Sequence, residues 1–149
     1  MILRTDRLVL RPFREEDVDA FARFTHAEPY RRHLDADHPG PEELVANNLG
    51  VDGAWVIELE GRVVGSIFLG EELACLLDPD VHAQGIGTEA ARVVVRDGFE
   101  RRGCGEIVAR ARAANTASVR ALARLGFVAA GDGLHRLDRG TWTAQEARG

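Results

Sequence analysis

The chain contains no lysine: all 19 of its basic residues are arginine. Guanidinium groups stay protonated across the physiological pH range, so no amine side chain is available for Schiff-base or general-base chemistry. Cysteine is nearly absent as well. Cys75 and Cys104 lie far apart and match neither a CxxC pair nor a disulfide framework. Cys75, inside an apolar run, reads as a small buried hydrophobe. Tyr30 is the single tyrosine. No apolar stretch approaches the roughly 20 residues of a membrane-spanning helix, and the N-terminus lacks a basic-then-apolar leader, which makes a cytoplasmic location without membrane contact the expectation. No stripe of basic charge is present either. A formal charge of −5, with acids scattered among the arginines, argues against nucleic acid as the main partner and suits a cationic acceptor. His26, His33 and His38 have no zinc-ligand spacing and read as solvated surface residues, so no metal is expected.

What the chain does have is the make-up of a folded domain. With 149 residues, 45% hydrophobic and 29% charged, it is expected to form one domain over residues 1–149. Residues 7–11 read as a strand stopped by Pro12, and Glu15, Glu16 and Asp17 open a helix that carries Val18, Phe21 and Phe24 on one face. Pro39-Gly40-Pro41 breaks the chain before a short helix through Leu49. Ala54–Leu59 and Arg62–Leu69 pair as a hairpin across Glu60-Gly61, and Gly70-Glu71 turns into the run Leu73–Leu77. That run is apolar at every position, as at the centre of a sheet covered on both faces. The spacing of Ala91, Val94, Val95, Gly98 and Phe99 predicts a helix over 88–102, with Gly103 as its cap. A strand at 107–111, a helix over 116–126 capped by Asn115 or Thr116, and strands at 127–130 and 134–142 complete the pattern.

The most informative stretch is His82-Ala83-Gln84-Gly85-Ile86-Gly87-Thr88, placed between an apolar strand and a helix. A glycine-rich turn feeding a helix start binds anions, because its first N–H groups have no intrahelical partner and the macrodipole adds partial positive charge. Gly85 and Gly87 lack a Cβ, so a phosphate can approach the backbone, and Thr88 supplies a hydroxyl that either caps the helix or bonds a phosphate oxygen. The Gly-Lys-Ser/Thr ending of a nucleotide-triphosphate loop and the third glycine of a dinucleotide fingerprint are both missing. What remains is a pyrophosphate cradle of another kind.

Five segments together resemble the GCN5-related N-acetyltransferases, in particular the branch that acetylates ribosomal-protein N-termini. They are Thr5-Asp6-Arg7-Leu8-Val9-Leu10-Arg11-Pro12-Phe13, Arg14-Glu15-Glu16-Asp17, Leu77-Asp78-Pro79 with the loop from His82 through Glu89-Ala90-Ala91, Asn115-Thr116-Ala117-Ser118, and Leu125-Gly126-Phe127. The resemblance implies a single α/β (α+β) domain of the acyl-CoA N-acyltransferase fold. Its mixed, mostly antiparallel sheet of about seven strands has helices on both faces and one splayed strand pair. It implies acetyl-CoA or coenzyme A as the ligand. Leu76 and Leu77 would give main-chain contacts to the pantetheine arm, Gln84, Gly85, Ile86, Gly87 and Thr88 would cradle the diphosphate, and Asn115 would bond the amide linkages.

The implied reaction is direct transfer of an acetyl group to a primary amine, on a protein N-terminus or a small molecule. Glu71 and Glu72, at the start of the central strand, stand where the family often keeps a proton-accepting carboxylate; the alternative is a solvated pair in a tight turn. The departing thiolate needs a proton. Many members supply it from a tyrosine four residues before the glycine of Gly-Phe, where this chain has Leu122, which leaves the hydroxyl of Ser118, or water, as donor. His82 and Ala83 replace the Arg or Gln and the Gly that usually open the loop. These departures keep open a second reading, an acyl-CoA-binding module without turnover. An edge strand near the C-terminus leaves a homodimer open.

Overall fold

The structure, a computed structural model, describes residues 1–25 and 40–148. His26, Tyr30, His33, His38 and Pro39 lie outside the described residues, as does the side chain of Phe24. Among the described residues the strands are β1 (Leu3–Arg4), β2 (Leu8–Arg11), β3 (Ala54–Leu59), β4 (Arg62–Leu69), β5 (Leu73–Leu77), β6 (Glu106–Arg110), β7 (Val128–Gly131) and β8 (Leu134–Asp138). The helices are α1 (Val18–Thr25), α2 (Pro41–Asn48), α3 (Ile86–Glu100), α4 (Thr116–Arg124) and α5 (Arg139–Arg148). One eight-stranded sheet runs in the order β1-β2-β3-β4-β5-β6-β8-β7. Every neighbouring pair is antiparallel except β5 and β6, which are parallel. This is the mixed sheet expected, with one strand more. The addition is β1, whose two residues pair with Leu10 and Val9 and are too few to show a period.

Alternation along the strands divides the core in two. On one face Trp55, Ile57, Ile67 and Leu69 pack with Ile86, Val94, Val95 and Phe99 of α3. On the other, Ala54 and Val56, with Phe68 and Leu76 at the edge, pack with Phe13, Phe21 of α1 and Leu44 and Val45 of α2. The rings of Phe13 and Phe21 stack at 5.8 Å. Gly98 brings α3 close to the sheet, since a Cβ there would lie 2.6 Å from Leu69 Cδ2 and 3.0 Å from Ile107 Cδ1.

Two boundaries differ from the sequence reading. α3 starts at Ile86 rather than Thr88, because Gly85 takes a left-handed backbone (φ 75°) and serves as N-cap itself. Thr88 therefore sits inside the first turn and does not cap the helix. β8 stops at Asp138 rather than continuing to residue 142. The Asp138 carboxylate accepts a hydrogen bond from the Thr141 N–H at 2.7 Å, which starts α5 at Arg139. Trp142 consequently lies on a helix, where its ring stacks on Phe99 with centroids 5.0 Å apart.

Candidate functional site

β5 and β6 pair at one register position, Leu73 opposite Ala109. Beyond it the strands part. β5 continues through Leu77 beside β4 alone, while the chain leaves β6 after Arg110 and turns toward α4. Among the described residues, the backbone groups of residues 74–77 that face β6 have no ladder partner. Leu73 is buried, but Ala74 and Cys75 are exposed and Leu76 and Leu77 half-buried. The expectation of a run covered on both faces, with Cys75 as a buried hydrophobe, is thus corrected, because the neighbouring strand that would cover it diverges. Cys75 is open to solvent yet surrounded by protein mass, and that desolvation pushes its thiol up to about 12. It is a protonated thiol at neutral pH and a poor nucleophile.

The turn out of β5 is anchored from below. Asp78, 2% exposed, accepts hydrogen bonds from the Asp80 N–H at 2.9 Å and from Arg62 Nη2 at 3.0 Å, starting a 3-10 turn at Pro79–Val81. His82 donates from Nε2 to the Leu77 carbonyl at 3.3 Å. Ala83 adopts φ 65°, a left-handed backbone suited to glycine. Gln84 donates its side-chain amide to the Asp80 carbonyl at 3.3 Å. Ile86 then buries its side chain in the core and fixes the start of α3.

The first helical bond runs from the Glu89 N–H to the Gly85 carbonyl at 3.0 Å, so the N–H groups of Ile86, Gly87 and Thr88 have no acceptor within the helix. Among the described residues they have no acceptor, and they form a row of donors at the positive end of a 15-residue helix. A Cβ at Gly87 would stand 3.4 Å from Leu77 Cδ1 and 3.9 Å from Cys75 Sγ, which places these amides directly against the exposed end of β5.

A second helix start faces the same end of the sheet. Asn115 caps α4 by accepting from the Ser118 N–H at 3.3 Å, leaving its amide NH₂ for another acceptor. Ser118 is half-buried. Because α3 and α4 each follow one of two parallel, diverging strands, both positive helix ends open at the carboxyl ends of β5 and β6, the usual ligand position of such sheets. The two carboxylates proposed from sequence lie at the closed end of the gap. Glu72 is held by Arg110 (Oε1 to Nε, 2.5 Å), and Glu71 is exposed in the turn before β5.

Thr5 and Arg7 are residues that the sequence does not place at the site, while Asp78 and Glu89 lie in the segment resembling the acetyl-CoA loop and helix but carry no assigned role from sequence. Thr5 and Arg7 sit in the turn between β1 and β2 yet bond Glu89 and Gln84, 77 to 84 residues away in sequence. Only the run of family-like residues at 5–11 marked them, and that run read as a strand. Among the described residues no group of His, Cys, Asp or Glu could hold a metal ion, and no helix is long and apolar enough to cross a membrane.

The same fold is found in known acetyltransferases. An acetyltransferase (GNAT) domain model matches residues 7–128. A GNAT-family acetyltransferase from Bacillus anthracis superposes with a TM-score of 0.83 at 20% identity, covering 93% of this chain and 98% of that one. RimJ of Mycobacterium smegmatis, solved in complex with CoA-disulfide, gives 0.76 at 20% identity over 89% and 82% of the two chains. The ribosomal-protein-S5-alanine acetyltransferase of Vibrio fischeri gives 0.77 at 17% identity over 95% and 98%. No curated protein matches the sequence at a significant level. On the family match the chain belongs to the GNAT acetyltransferases, whose acyl donor is acetyl-CoA.

Proposed function

We propose that this protein transfers an acetyl group from acetyl-CoA to a primary amine by direct attack, the acceptor being a protein N-terminus or a small-molecule amine. The observation that carries the proposal is the parting of β5 and β6 beyond Leu73 and Ala109, with the free amides of residues 86–88 at its mouth. The cradle fits a diphosphate: among the described residues its donors have no acceptor, and Gly87 within it carries no side chain. A bound acetyl-CoA supplies an activated acetyl thioester. Backbone groups of Leu76 and Leu77 hold the pantetheine arm as an added strand would, and Asn115 bonds its amides. A backbone N–H near Leu77 steadies the carbonyl oxygen as negative charge grows there, a contribution on the order of 3 kcal/mol.

The amine nitrogen bonds the thioester carbon, the carbon–sulfur bond breaks, and two protons move. Water takes the proton leaving the amine and passes it along the gap toward Glu71 or Glu72 at its closed end, and Ser118 or water gives one to the sulfur. An α-amine, with a pKa near ~8, needs less help than a lysine side chain near ~10.4, which favours an N-terminus or a weakly basic amine as acceptor. The protonated Cys75 thiol favours direct attack over an acetyl-cysteine route. The ion pair of Glu72 with Arg110 ties up one candidate base and favours the second reading, a binding module without turnover. Incubation with acetyl-CoA and a panel of amines, followed by thiol release, separates the two. Release above background with at least one amine is expected; tight coenzyme A binding with no release on any amine would overturn the enzyme reading.

A further inference from the structure

The loop that cradles the diphosphate is not held by its own helix alone. The β1–β2 turn, closed on itself by the Thr5 N–H to Leu8 carbonyl bond at 3.0 Å and the Leu8 N–H to Thr5 Oγ1 bond at 3.0 Å, reaches across to the first turn of α3. There Glu89 accepts from the Thr5 hydroxyl, from the Arg7 N–H at 3.2 Å and from Arg7 Nε at 2.8 Å. The guanidinium so fixed turns its Nη2 onto the Gln84 carbonyl at 3.1 Å. A trans peptide is planar, with its C=O and N–H pointing oppositely, so holding that carbonyl aims the Gly85 N–H away from Arg7. It also settles the plane of the peptide entering left-handed Gly85, a conformation that an untethered glycine would exchange for several others.

Glu89 poses a second problem that the same contacts solve. A free carboxylate in the first turn of α3 would compete with a phosphate for the exposed amides and repel it. Both of its oxygens are instead engaged by Thr5 and Arg7. We propose that Arg7, anchored by Glu89 and Thr5, is a positioning residue for donor binding, presetting the Gln84–Gly85 peptide so that the loop amides meet the diphosphate already ordered. This rests on the reading of residues 84–88 as the diphosphate cradle.

Calorimetric titration with coenzyme A and with pantetheine, which lacks the diphosphate, tests the idea on the wild type, Arg7→Ala and Glu89→Gln. The wild type should favour coenzyme A, and both variants should lose about tenfold of that affinity, the size of one charge-assisted hydrogen bond, while binding pantetheine as before. Glu89→Gln is the decisive variant, because it keeps the Arg7 charge and weakens its anchor, replacing a charged two-oxygen acceptor by an amide with one acceptor oxygen. Weaker coenzyme A binding there shows that Arg7 works through its tether. Unchanged or tighter binding overturns the positioning role, since Arg7 would then act on the phosphates as a simple charge or not at all. A wild type with no preference for coenzyme A over pantetheine would instead remove the cradle reading, and the clamp with it. Should Arg7→Ala fail to fold, the Glu89→Gln comparison stands alone.

Discussion

Ala83 keeps a conformation that belongs to glycine. Its φ of 65° costs an L-residue roughly 1–2 kcal/mol, and the residue that usually stands at this point in the resembled loop is glycine. The backbone of the loop is therefore retained although the side chain departs from the pattern. Ala83→Gly removes the strain but adds unfolded-state entropy of about 0.5–1 kcal/mol, so melting temperature and coenzyme A affinity should stay level or rise slightly. Ala83→Val places a β-branched side chain at positive φ and should lower both. A valine variant as stable and as tight-binding as the wild type would show that the left-handed turn is dispensable. At this scale the sequence was informative about Gly85 and Gly87, whose chemistry is local. It places Arg7 and Glu89 in family-like runs but assigns neither a role, because nothing near either residue records a partner on a distant turn.

Among the elements, β5 shows where hydropathy stops being a guide. Five apolar residues in a row predict a covered strand, yet Ala74 and Cys75 are exposed. Apolar character says that a surface prefers cover and not whether another strand or a ligand provides it. The late strand ran on to residue 142 in the sequence reading for a related reason. The stop is a single carboxylate cap at Asp138, a weaker signal than the apolar residues on either side. The end of β5, which forms one side of the gap, packs against Gly65, opposite Leu77 on β4. A Cβ at Gly65 would lie 2.2 Å from the Leu76 carbonyl oxygen, a backbone atom that cannot turn aside. Gly65→Ala should therefore shift the end of β5 and cost about 1–3 kcal/mol, as overpacking does. Gly98→Ala meets only side-chain tips and should cost less. Urea unfolding of the two variants checks the order, and equal or reversed losses would contradict a β5 end set by Gly65.

Across the whole molecule, the absence of lysine makes arginine the sole cationic side chain in the carboxylate pairs outside histidine, and its fork binds two acceptors at once. Arg11 joins Asp17 and Glu58 beneath α1, and Arg101 joins Asp97 to Asp52 at the far end of α3. The hydrogen bond to Asp17 holds Arg11 above the usual guanidinium range, and that to Asp97 does the same for Arg101. Such raised values matter only under strongly alkaline conditions, so the pH response near neutrality lies with the acids. Asp52 is lowered chiefly by its hydrogen bond to Arg101, and Asp138 by the Thr141 N–H. For Glu89 burial is the largest single influence and pushes upward. The Thr5 hydroxyl and the Arg7 guanidinium and N–H together outweigh it, so the carboxyl titrates below its ordinary range.

Each of these acids binds its proton more weakly folded than unfolded. Its stabilising contribution is complete above the unfolded value of about 4 and is lost as pH falls through the lower folded value. Melting temperature should accordingly fall as pH drops below about 4. Glu89→Gln sharpens the test, because glutamine resembles the protonated acid. The variant should melt below the wild type at pH 7, and the gap should close as Glu89 takes up its proton in acid. A gap of constant size from neutral to strongly acidic solution would mean that the charge of Glu89 does not hold the β1–β2 turn to α3.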